Sequence, residues 1–289
     1  MSLITEARVR VVVVGDVAVD VLVAPSAPAV PGADVPARIR TTAGGAGANT
    51  AAWLAHLGAE VTLVARVGDD AAGRMATAGL RAAGVTTAQT VDAECPTCTV
   101  VVLLDGDRTM LSDRGAAARL APADLPALDG ADHLHLSGHV LLDPSSRAAG
   151  LAALSAARVA GLSTSVDPQA APAITPEFRE WVRGVDLLLP NADELAALGG
   201  STANLLDAVG AVVVTDGARP ARWVDRVAEV RSLPPRVTVV DPTGAGDAFD
   251  AGLLVAWLRG ADPQEALHAG CAAAVEAVSA LGARPAAPR

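Results

Sequence analysis

The chain contains no lysine and no tyrosine, and its aromatic residues come to 2% of the total. Without lysine there is no P-loop, whose lysine reaches the outer phosphates of a nucleotide, and no Schiff-base chemistry. All 22 basic residues are therefore arginine, set against 32 acidic ones, for a formal net charge of -10. That balance leaves no electrostatic footprint for nucleic acid or an anionic membrane surface. A phosphate ligand would have to be held locally, by backbone N–H groups, arginine and metal. Long apolar runs are also missing, since Asp, Glu or Arg interrupts every candidate span. Met1 to Arg8 lacks the basic-then-apolar layout of a signal peptide, so a cytoplasmic location is expected. Cysteine is scarce: Cys95, Cys98 and Cys271. The Cys95–Cys98 pair has CxxC spacing but runs into a strand. It lacks the helix N-terminus that would activate a thiol, so no redox role is expected.

What remains is a 289-residue chain, 51% hydrophobic, whose core must be packed from Ala, Val and Leu. The most informative stretch is 237–258. Val237-Thr238-Val239-Val240 reads as a buried strand end, because all four residues are β-branched. Asp241-Pro242-Thr243-Gly244-Ala245-Gly246-Asp247 then breaks the strand, and helical spacing starts at Ala248. Gly244, Ala245 and Gly246 thus fall where a helix begins, with free N–H groups and the positive end of the dipole, which is a ready anion site. Asp247 stands where a carboxylate could take a proton from a hydroxyl attacking that anion. The plain alternative is a glycine-rich turn with an acidic capping residue.

Elsewhere the order is β-then-α: strands at 8–14, 60–66, 162–167, 185–189 and 211–215, and helices at 50–57, 71–83, 145–160, 176–183 and 262–280. Such alternation predicts a single domain over 1–289, an α/β, doubly wound, mostly parallel sheet flanked by helices. Segments 17–43 and 94–112 are the strand-rich exceptions and are expected to form a small β lid over the strand ends. The tail 284–289 is expected to fray. Because ligands bind beyond the carboxyl ends of parallel strands, Asp16 and Asp20 should lie near any cleft. In Gly44-Gly45-Ala46-Gly47-Ala48-Asn49 the glycines allow close backbone approach, while Asn49 offers a donor and an acceptor to hydroxyls or simply caps a helix. Asn191 and Glu194, three apart, could orient a hydrated Mg²⁺ or serve only as an N-cap with its acidic partner. His133 and His135 share a strand face, but their spacing supplies no further zinc ligands, so they read as ordinary histidines.

GGAGAN at 44–49 and DPTGAGDAF at 241–249 together resemble the two signatures of the ribokinase-like (PfkB) carbohydrate kinases. Asp20, Gly68-Asp69-Asp70 with Gly73, Pro190 to Glu194 and Thr215-Asp216-Gly217 follow in the same order, so the resemblance spans nearly the whole chain. It implies transfer of the γ-phosphoryl group of ATP to a hydroxyl of a sugar or nucleoside. Asp247 would then be the general base and Gly244, Ala245 and Gly246 the anion hole. Asp16, Asp20, Gly45 and Asn49 would hold the sugar, and Arg114 is the candidate for an acidic one. Asn191, Thr215, Gly217, Thr243 and Cys271 would line the ATP site. Glu194 would position Mg²⁺ through water, and Asp241, with carbonyls of Thr243, Ala277 and Gly282, would hold a monovalent cation such as K⁺. Ala18, Ala46 and Ser137-Gly138 stand where ribose-phosphorylating members carry Asn, Lys and an acid, which argues against ribose. A nucleoside kinase and a non-catalytic sugar-binding regulator remain open alternatives. Strand edges in the lid also make a homodimer an expectation.

Overall fold

Strand β1 (Arg10–Val14) is buried on both faces, and its valines alternate between two hydrophobic layers. Val11 and Val13 join one layer, Val12 and Val14 the other, as the two-residue period of a strand requires. That central strand is why the chain needs helices on both sides.

In the computed structural model, which describes residues 8–28, 30–105 and 107–285, β1 is followed by β2 (Ala18–Pro25), β3 (Ala37–Gly44), α1 (Ala46–His56), β4 (Glu60–Gly68), α2 (Ala71–Ala82) and β5 (Thr86–Asp92). Next come β6 (Cys98–Asp105), β7 (Asp107–Asp113), β8 (His133–Ser137), α3 (His139–Leu142), α4 (Arg147–Val159), β9 (Ser163–Asp167) and α5 (Phe178–Trp181). The chain continues through β10 (Leu187–Leu188), α6 (Ala192–Ala197), α7 (Thr202–Leu205), β11 (Ala211–Val214), β12 (Ala221–Val224) and β13 (Glu229–Ser232). It ends with α8 (Ala245–Leu258) and α9 (Pro263–Val278). The reading of the N-terminal leader, the turn residue Gly106 and the tail beyond Pro285 fall outside the described residues.

The main sheet has the order β13-β12-β11-β10-β9-β8-β1-β4-β5. From β11 to β5 all neighbours are parallel, and β12 and β13 add an antiparallel edge. This is the doubly wound α/β sheet that the alternation predicted. One consequence matters for the site: the carboxyl ends of β1, β9, β10 and β11 all open on the same rim, the position for ligands in such sheets. Layer one packs α1, α2, α8 and α9 against the sheet, and layer two α3 to α7. A second, four-stranded sheet, β3-β2-β6-β7, is built from the two strand-rich exceptions. Its β2–β6 pair is parallel and its outer pairs antiparallel.

The structure departs from the sequence reading in three places. Val237 to Val240 is not a buried strand: Val237, Val239 and Val240 are 40%, 57% and 53% exposed. The segment pairs with no sheet edge, and Val240 and Asp241 instead donate their N–H groups to the Val278 carbonyl at the end of α9. Strand propensity reflects packing on a pleated surface, and here no such surface is offered. Helix α1 starts at Ala46 rather than at Thr50. Gly45, at φ 93, makes the break, so Asn49 lies in the first turn instead of capping it. The tail does not fray at its start either, because Ala283 is buried and Arg284 is drawn into the protein.

Candidate active site

Helix α8 begins at Gly244 with φ 77, a conformation that favours glycine, and no side chain caps its first N–H groups. Asp70, Asn191 and Asp262, by contrast, cap α2, α6 and α9 through their side chains. A Cβ at Gly244 would also stand 2.4 Å from the Ala283 carbonyl oxygen, so the turn is packed from behind while its other side borders a cavity. That cavity, of about 330 Å³, is bounded by Gly244, Gly246, Asp247, Asn191, Glu194 and Thr215, with Asp167 and Asp250 also on its wall. Uncapped N–H groups and a helix dipole at a polar opening are suited to an anion.

Asp247 sits in that first turn, 8% exposed. Its Oδ2 accepts a hydrogen bond from Asn49 Nδ2 at 3.0 Å, which ties α8 to α1 across 198 residues of chain. Burial pushes its carboxyl up to about 7, with Asp16 and Asp20 adding to the rise and Asn49 and Arg284 opposing it. A carboxylate poised near neutrality is what proton transfer at physiological pH calls for. Asp20, at the start of the second sheet, lies against Gly44 so closely that a Cβ there would meet its Oδ1 at 2.3 Å. Gly45 is equally constrained, by the Asp16 carbonyl oxygen at 2.6 Å. Asp16, beyond the end of β1, accepts from the Gly47 N–H and pairs with Arg114 at 3.2 Å. Burial raises the Asp16 carboxyl, but Arg114, His139 and the Gly47 N–H outweigh it and hold the group at about 2. Arg114 thus donates from Nη1 to Asp16 and stands beside the residues expected to hold the sugar.

Asn191 and Glu194 form a reciprocal capping box on α6: Asn191 Oδ1 accepts from the N–H groups of Asp193 and Glu194, and Glu194 Oε2 accepts from the Asn191 N–H. The capping alternative therefore holds, yet Glu194 is also buried at the cavity wall. Asp167 and Asp250, absent from the sequence reading, complete an acidic group there. Burial pushes both well above the ordinary carboxylate range, Glu194 and Asp247 add to the rise at each, and the two acids raise Asp250 further by sharing a hydrogen bond. Asp250 Oδ2 is buried without a partner. Gln169, left-handed at φ 60, turns its amide onto Asp167. A divalent cation fits this wall, since it would relieve stacked negative charge and reach an orphaned oxygen. Among the described residues no three acidic, His or Cys side chains are grouped tightly enough to hold a metal directly, so water and nucleotide phosphates would fill its shell.

Thr215, Gly217 and Cys271 line an adjoining cleft of about 220 Å³ with Asn191, Phe249 and Ala274. Burial raises the Cys271 thiol, so it is a neutral wall there. Asp241 Oδ1 accepts from the Thr243 N–H and Oδ2 from the Gly282 N–H, which brings those residues to the end of α9, where Ala277 is buried. Cys95 and Cys98 are free thiols, the latter raised to about 12 chiefly by burial. His133 and His135 are buried and bonded to Ser163 and Ser165, in keeping with a structural role.

Asp250 had a legible signal: it lies three residues after Asp247, hence on the same helix face. Asp167 had one as well, at the carboxyl end of β9. Arg284 had none in composition or periodicity.

The profile of the pfkB family of carbohydrate kinases matches residues 9–289. A fructokinase from Klebsiella pneumoniae is 33% identical over 267 residues, covering 85% of this chain and 83% of the relative. An aminoimidazole riboside kinase from Salmonella typhimurium is 32% identical over 270 residues, with coverages of 85% and 84%. Among solved structures, an adenosine kinase from Sinorhizobium meliloti superposes with a TM-score of 0.85 at 25% identity over 96% of each chain. An aminoimidazole riboside kinase from Salmonella enterica, complexed with aminoimidazole riboside and an ATP analogue, gives a TM-score of 0.81 at 29% identity over 96% of each.

Proposed function

The chain belongs to the pfkB family of carbohydrate kinases, ATP-dependent phosphotransferases, and from that premise we propose that it moves the γ-phosphoryl group of ATP to a hydroxyl of a small sugar with Asp247 as general base. The observation that carries this is the pairing of a carboxyl poised near 7 with an uncapped helix start in one turn of α8. The sugar would lie among Asp16, Asp20, Gly45 and Asn49, its hydroxyl facing Asp247. As the hydroxyl oxygen attacks, its proton passes to Asp247, and N–H groups of Gly244 to Gly246 stabilise the charge on the transferring group. Nucleotide would occupy the cleft of Asn191, Thr215, Gly217 and Cys271. Mg²⁺, held through water by Glu194, Asp167 and Asp250, would supply charge neutralisation on the phosphates. A monovalent cation such as K⁺ is proposed beside Asp241, at carbonyls of Thr243, Ala277 and Gly282. The second sheet would close over the acceptor and exclude water. Its outer strands β3 and β7 expose Ile39 and Leu111, an edge suited to a homodimer. No helix among the described residues is long and apolar enough to cross a membrane, and a cytoplasmic enzyme is proposed.

One observation favours a second reading, an acceptor of nucleoside type. A cleft of about 450 Å³ runs between the second sheet and residues 240–243, and Leu22, Val102 and Leu104 give it an aliphatic wall. Such a wall could flank a base. A coupled ADP-release screen over pentoses, hexoses, keto-acids and nucleosides, with and without K⁺, tests both readings. Turnover confined to free sugars supports the first, turnover confined to nucleosides the second, and ADP release with no acceptor dependence refutes both.

A further inference from the structure

The segment after α9 is tied at three consecutive residues. Gly282 donates its N–H to Asp241 Oδ2 at 3.0 Å, and the Ala283 carbonyl accepts the Trp53 indole N–H at 2.9 Å. Ala283 also closes against Gly244, as the forbidden Cβ there attests. Arg284 then turns inward. Its Nε donates to Asn49 Oδ1 at 3.1 Å and its Nη2 to the Gly44 carbonyl at 2.9 Å. Asn49 in turn donates from Nδ2 to Asp247 Oδ2 at 3.0 Å.

This chain of contacts has a direction. An asparagine amide has nearly the same shape flipped, and only its partners decide which end carries the N–H groups. Flipped, Asn49 would set its carbonyl oxygen against the Asp247 carboxylate and its N–H groups against a guanidinium, two repulsions at once. We propose that Arg284 is a positioning residue for phosphoryl transfer, clamping Asn49 Oδ1 so that the amide N–H always faces Asp247. The inference rests on Asp247 being the base. It gives the C-terminal segment a role in the chemistry without touching substrate: Gly282 and Ala283 hold loop 241–244, and the Arg284 side chain joins α1 to the end of β3.

The charges facing Asp247 sharpen the test. Asp16 comes from the end of β1, Asp20 from β2, Asp167 from β9 and Asp250 from α8 itself, with Glu194 of α6 on the same cavity wall; Arg114 is paired with Asp16. Arg284 is the cation among them that favours ionised Asp247.

Arg284→Met and Arg284→Lys are compared with wild type by ADP release at saturating Mg²⁺, on an acceptor found in the screen. The Met variant should lose about ten- to a hundredfold in kcat, the worth of one charged hydrogen bond, with little change in KM for ATP. Its acid limb should move to higher pH, because a cation favouring the carboxylate is gone. Lysine keeps the charge, so that variant should keep the acid limb and recover part of kcat. Combined with Asn49→Ala, Arg284→Met should add little further loss if it acts through Asn49. Should the Met variant melt below the assay temperature, the Lys variant decides by its acid limb alone. Wild-type kcat with an unmoved limb in Arg284→Met, a displaced limb in Arg284→Lys, or losses that multiply in the double variant would overturn the proposal. Active wild type with a collapsed Asp247→Asn and an unaffected Arg284→Met sinks this inference only; an inactive wild type sinks the kinase reading itself.

Discussion

Replacing Asp247 with asparagine removes a proton acceptor while keeping shape and an oxygen for the Asn49 N–H at 3.0 Å. With the wild-type carboxyl at about 7, roughly half the molecules carry the base at pH 7, about a tenth at pH 6 and about nine-tenths at pH 8. Wild-type kcat/KM should therefore fall about tenfold per pH unit below neutrality. A positioned base contributes about 10²–10⁴-fold, or roughly 3–5 kcal/mol, and that is the loss in kcat expected of Asp247→Asn at pH 8. Two further readouts separate chemistry from damage. KM for ATP should move little, because the N–H groups of α8 are backbone. Stability should not drop at pH 8, because a buried group with a raised pKa costs stability as pH rises from the ordinary carboxylate range through its folded value. Steady-state ADP release from pH 5.5 to 9, with a thermal melt at each pH, reads all of this. Turnover near wild type, or an acid limb that persists unchanged in the variant, would refute the reasoning.

Gly244→Ala should destabilise by more than about 2 kcal/mol in urea unfolding, since a Cβ meets both a left-handed backbone and the Ala283 carbonyl. Asp250→Asn should raise the melting temperature at pH 8, at roughly 2–4 °C per kcal/mol recovered in a chain of this size. The gain should shrink as pH falls towards the ordinary carboxylate range, because burial and Asp167 push the wild-type group well above that range in the folded state and the cost grows only as pH rises from there. The sign reverses for His133 and His135, which burial depresses to about 3 and 4. Their stabilising contribution is complete above pH 6.5 and lost as pH falls through their folded values, so a His133→Gln/His135→Gln double variant should flatten the melting temperature between pH 4 and 6.

Where the chain's chemistry follows from backbone geometry, it was legible. Gly244 to Asp247 announces a helix start because glycine permits the turn and the following apolar spacing is helical. The alternating strands and helices announce the parallel sheet, and with it the rim where Asp16 and Asn191 lie. Three features were legible in part or not at all. Val237 to Val240 carries strand-forming residues but meets no sheet edge, a fact of tertiary packing. Asp167 and Asp250 each had a positional signal, a strand end and a shared helix face, but only the fold stacks the two at one cavity wall. Arg284 follows a helix end, in a sequence that reads as a fraying tail. Gly44, Asn49, Trp53 and Asp241, all far away in sequence, hold the segment.

Phosphorus NMR of a mixture of the enzyme, ATP, Mg²⁺ and an accepted sugar tests the central claim most directly. The account predicts a new phosphomonoester signal that grows in step with ADP and disappears when the sugar is omitted. ADP accompanied only by inorganic phosphate, formed at the same rate with or without sugar, would contradict it.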